Sequence, residues 1–73
     1  MNKLNLPFIK KTLQPKVGDW IYWRWKGDKT FSKSYVQSYD GTLLELSNLK
    51  WQTENPTIIL RREIYIAKIE TTN

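Results

Sequence analysis

Apolar residues recur at every second position where the folded part of the chain begins. In "VGDWIYWRWKGDK", residues 17–29, Ile21, Trp23 and Trp25 fall on one side of an extended backbone, and Trp20, Tyr22, Arg24 and Lys26 on the other. A period of two predicts a strand, ended here by the turn-forming "KGDK". Phe31 to Tyr39 predicts a second strand. In it Phe31, Lys33, Tyr35, Gln37 and Tyr39 alternate with Ser32, Ser34, Val36 and Ser38, and neither set is cleanly apolar. A β-bulge is one way to turn Tyr35 and Val36 away from simple parity. "YDGT" signals a hairpin, because Gly41 tolerates positive φ. A third strand runs from Thr42 to about Leu49, a fourth from Thr57 to Leu60 and a fifth from Ile64 to Ile69, with "RRE" as a single tight helical turn before the last. A long helix is excluded: "NLKWQTENP" is polar and broken by proline, and "IILRREIYIAKI" is rich in β-branched residues.

The uncharged side of the first strand, continuous with Val17, is assigned to the core. Leu44 with Leu46, Ile58 with Leu60, and Ile64 with Ile66 are the later core candidates. Residues 1–15 contain Pro7, end in Pro15 and read as an N-terminal arm. Five short strands over residues 16–70 predict an all-β domain, a small five-stranded SH3-like barrel, since open edges on so short a chain are a liability.

The stretch "VGDWIYWRWKGDKTFSKSYVQSYDGTLLEL" carries a resemblance over residues 17–46. It has a Val-Gly-Asp entry, a strand ending in Arg-Trp, an acidic-glycine turn, and a second strand closed by Asp-Gly. In these features it resembles Tudor-like and related SH3-like barrels. The resemblance implies an aromatic cage that binds methylated lysine or arginine by cation–π attraction. Trp25 and Phe31 match two cage walls, and Trp51 is a third candidate from a neighbouring loop. The chain departs from the pattern at Leu46, where a further wall is expected, and at Asn48, near the expected acid. The competing reading of Trp25 and Phe31 is packing at a hairpin mouth.

Composition narrows the chemistry. Seventy-three residues make one domain at most, and with no cysteine and no histidine there is neither a disulfide nor the usual ligand set for zinc or blue copper. No metal and no cofactor is expected. The commonest proton shuttle and the strongest nucleophile are both missing. A Ser–Lys pairing from Ser32, Lys33 and Ser34 fails because neighbours on a strand point to opposite faces, and Gly18, Gly27 and Gly41 are too isolated to cradle phosphate. The expectation is a binding module, not an enzyme. Nothing resembles a membrane span or a signal peptide, so the expected compartment is the cytoplasm.

Charge then points to a partner. The net charge is +5, and residues 1–34 carry eight cations against two anions, while residues 35–73 carry four against five. Such asymmetry suits a polyanion. Two rings and two cations on the second face of the first strand have three competing explanations. The arm residues Leu6, Phe8 and Ile9 could pack over Trp20 and Tyr22. The face could instead bind nucleic acid, with Arg24, Lys26, Lys29 and Lys33 on phosphates, Trp20 and Tyr22 stacking on bases, and Lys10 and Lys11 of the arm adding contacts. A protein partner or a second copy of the chain is the third, burying Trp20, Tyr22 and Trp51. Nucleic acid, DNA or RNA, is the expected partner. The Arg61-Arg62 pair could extend a basic surface or balance Glu63 and Glu70, and the second is the favoured expectation.

Overall fold

The computed structural model describes residues 13–52 and 54–71. The arm residues Leu6, Phe8, Ile9, Lys10 and Lys11 therefore lie outside the described residues. Five strands follow in chain order: β1 (Asp19–Trp25), β2 (Ser32–Tyr39), β3 (Leu43–Ser47), β4 (Thr57–Leu60) and β5 (Ile64–Thr71). A one-turn 3-10 helix, Arg61–Glu63, joins β4 to β5 where "RRE" predicts a tight turn. The protein is all-β, and all pairings are antiparallel in one sheet of order β4-β3-β2-β1-β5. Four consecutive strands meander, and β5 returns to flank β1. The sheet is not closed, because β4 and β5 stand at its two edges; the expected barrel lacks that last ladder.

The turns have local causes. Gly41 sits at φ 98°, and the Asp40 carboxylate accepts the backbone N–H groups of Thr42 and Leu43 at 2.8 Å each. Those two bonds hold the Asp40 carboxyl below its ordinary value, Leu43 contributing most. Ahead of β1, the buried Asp19 accepts the Lys16 N–H at 2.8 Å and donates its own N–H to the Lys16 carbonyl.

The core consists of Ile21, Trp23, Val36, Leu44, Leu46, Ile59, Ile64 and Ile66, with Tyr39 and Ile69 packed against it. Several assignments made from alternation change here. Val17 and Trp25 are exposed rather than buried. In β4 the phase is inverted: Ile59 is 3% exposed and Ile58 60%. Opposite Leu44, register places Ile59 inward, and parity cannot choose between two adjacent isoleucines. Of the serines of β2, Ser34 faces inward. Ser34 is buried opposite Ile21, and its hydroxyl accepts the Trp23 indole N–H at 3.0 Å.

Two bulges correct the phase further along. Pairing of β2 with β3 skips Gln37, so Val36 and Tyr39 both meet the core despite their odd separation. Pairing of β5 with β1 skips Ala67, so Ile64, Ile66 and Ile69 all turn inward.

Candidate nucleic-acid interface

The outer face of β2, β1 and β5 collects what the inner face excludes. Alternation along β1 turns Trp20, Tyr22 and Arg24 outward, each half-buried by its neighbours. Across β2, Trp20 pairs with Tyr35 and Tyr22 with Lys33; across β5, Trp20 pairs with Glu70, Tyr22 with Lys68 and Arg24 with Tyr65. The Ala67 bulge matters here as well, since without it Lys68 and Glu70 would share a face with Ile64 and Ile66.

Rings and cations interleave on this face. Trp20 and Tyr35 meet edge to face at 5.3 Å between centroids, as do Phe31 and Tyr65 at 6.3 Å. The Lys33 ammonium lies 5.4 Å from the Trp20 ring centroid and 5.2 Å from that of Tyr22, and Lys68 lies 5.7 Å from Tyr22 on the β5 side. The Arg24 guanidinium sits 4.9 Å from the Tyr65 ring and 5.7 Å from Phe31, and it donates to the Trp25 and Asp28 carbonyls. Such contacts attract each cation to a ring face while its charge stays accessible to solvent. A single carboxylate interrupts the pattern: Glu70 bridges Lys33 at 3.5 Å and Lys68 at 3.4 Å. Lys68 and then Lys33 hold the Glu70 carboxyl below its ordinary value, while the Tyr22 phenol and then Glu70 hold Lys33 above its own.

Of the six residues expected to bind nucleic acid, Trp20, Tyr22, Arg24 and Lys33 come together on this face. Lys26 does not. It lies past the end of β1, where its N–H bonds the Glu63 carbonyl and its side chain lines a cavity beside Arg61 and Arg62. Lys29 is exposed in the β1–β2 turn. Tyr65, Lys68 and Glu70 belong to the face and escaped the sequence reading. Tyr65 could have been found, since it alternates with Ile64 and Ile66. Lys68 and Glu70 could not, because the bulge hides their phase.

The three cage candidates pack in different places. Trp25 packs edge to face on Trp23 at 5.5 Å, whereas Phe31 packs on Tyr65 and Arg24 across the hairpin's other face. Trp51 is 75% exposed in the β3–β4 loop. Trp25 and Phe31 thus find separate ring partners. The balancing role expected of Arg61 fails: its guanidinium is buried and bonded to carbonyls, and Glu70 pairs with lysines instead.

No group of acidic side chains among the described residues could hold a metal ion. None of the described helices is long and apolar enough to cross a membrane. No family model matches the chain, and no curated protein or solved structure matches it either.

Proposed function

We propose that the protein is a non-enzymatic module that binds nucleic acid on the outer face of β2, β1 and β5. The observation that carries this reading is the interleaving of five partly exposed rings, Trp20, Tyr22, Phe31, Tyr35 and Tyr65, with Arg24, Lys33 and Lys68. Flat rings on a strand face suit unpaired bases, each of which offers a π-face, and the cations suit the backbone between them. Single-stranded DNA or RNA is therefore the favoured form. Because Lys33 covers Trp20 and Tyr22, a stacking base displaces the lysine toward a phosphate.

The test is fluorescence anisotropy with labelled single-stranded oligonucleotides across a salt series. Three phosphate contacts give a slope of log affinity on log salt of about −2. Trp20→Ala and Tyr22→Ala each weaken binding by about 1–3 kcal/mol, while Lys68→Ala flattens the slope by roughly one contact. Salt-independent binding, or none, overturns the reading. The rival is a protein-interaction module or homo-oligomer, which the exposure of Trp51 and Leu49 on one loop favours. Light scattering showing a stable dimer that protects Trp51 from quenching would establish it.

A further inference from the structure

Away from the aromatic face, an open cleft of about 450 Å³ lies between the β2–β3 hairpin and the 3-10 turn. Its walls include Lys26, Arg61 and Arg62, with Tyr39, Gln14 and Thr42 completing the rim. Three cations line it and no carboxylate does. Asp40 stands next to it in sequence, but its carboxylate turns into the hairpin to accept Thr42 and Leu43.

Arg61 is the unusual member. It is 7% exposed, so its charge is largely out of water. Nη1 donates to the Ile64 carbonyl at 3.0 Å and Nη2 to the Leu13 carbonyl, while Nε is buried with no partner. Among the described residues neither Arg61, Arg62 nor Lys26 forms an ion pair. Residues 1–12, which precede them, include no Asp or Glu that could supply one. Buried charges in proteins are normally paired, and two carbonyls supply hydrogen bonds without a counter-charge. Burial accordingly moves the Arg61 pKa down, only partly offset by Tyr39, where a carboxylate partner would raise it.

We infer that the cleft is a phosphate site, taking a phosphate monoester of mononucleotide size with its dianion among Lys26, Arg61 and Arg62. The volume exceeds what a bare phosphate fills and lies in the range of small-molecule pockets. Guanidinium N–H groups match phosphate oxygens, and the two exposed cations at the mouth steer the anion inward. The site goes beyond the binding face described above and does not depend on it.

Thermal unfolding at constant ionic strength tests this, with inorganic phosphate, AMP, adenosine and chloride as probes. Once saturated, AMP raises Tm by roughly 5–10 °C for each further tenfold in concentration; phosphate does so only at higher concentration, and adenosine does not. Lys26→Ala with Arg62→Ala removes surface side chains, keeps the fold and abolishes the shift. Arg61→Met, which fills the same space without charge, also abolishes it. A short oligothymidylate with and without a 5′-phosphate identifies the source: a shift confined to the phosphorylated form assigns a strand terminus, and a shift with AMP alone assigns a free metabolite. Equal shifts for AMP and chloride, or a shift that survives in the Lys26/Arg62 double variant, overturn the proposal.

Discussion

Trp23 is the largest side chain of the core, and its one polar atom is answered by one hydroxyl. Ser34 lies on the strand beside it and takes the indole N–H at 3.0 Å in a buried setting. Ser34→Ala leaves that donor unsatisfied and lowers stability by about 1–3 kcal/mol in urea unfolding. Ser34→Thr, which keeps the oxygen, recovers part of it. Asp40 works by charge as well as by geometry. Its folded-state pKa is depressed, so its contribution is fully present above the ordinary carboxylate value of about 3.8 and disappears as pH falls through the folded value. Asp40→Ala should therefore lower Tm at neutral pH, and the gap to the natural protein should close in acid. A gap that persists at pH 2 would mean that the carboxylate's charge is not the cause. The serines of β2 were legible only as polar residues; that one of them faces inward depends on an indole two strand positions past Ile21, which no local pattern shows.

Strand existence is set by alternation and turn chemistry, and both are local. Strand phase is not. In β4, "TIIL" offers an apolar residue to either face, and pairing opposite Leu44 decides that Ile59 goes in. Ile59→Ala should cost about 2–5 kcal/mol, whereas Ile58→Ala should change stability by less than about 0.5 kcal/mol; chemical denaturation of both variants checks the phase directly. The bulges act in the same way, shifting parity in mid-strand where alternation over eight residues cannot show it. The bulged Gln37 also has a job. Its amide nitrogen reaches the Ser47 hydroxyl, the Lys50 carbonyl and the Gln52 carbonyl at 3.0, 3.1 and 2.8 Å, tying the loop that carries Trp51 to β2. Gln37→Ala should speed hydrogen exchange at the Gln52 amide, which bonds the Leu49 carbonyl, and leave β1 and β5 protected.

Across the whole molecule, the strand that carries both aromatic faces is flanked by β2 and by the last strand of the chain. Asp19 pairs with Thr71, so β1 is completed only when the two ends of the domain meet. Contacts of such sequence separation form slowly, and folding in the millisecond-to-second range is expected in stopped-flow fluorescence, with tryptophan as the probe. The same pairing completes the outer face, because Tyr65, Lys68 and Glu70 arrive with β5. Half of that face was readable from β1 and the start of β2; the other half depended on which strand lies alongside.

Glu70 gives that late arrival a further meaning. Bridging two lysines, it sits where a polyanion bound as proposed would put its charge, and under that proposal it would be a tethered competitor for the ligand to displace. Removing its charge with Glu70→Gln should tighten binding of a strand on this face, even though the folded protein gives up two ion pairs.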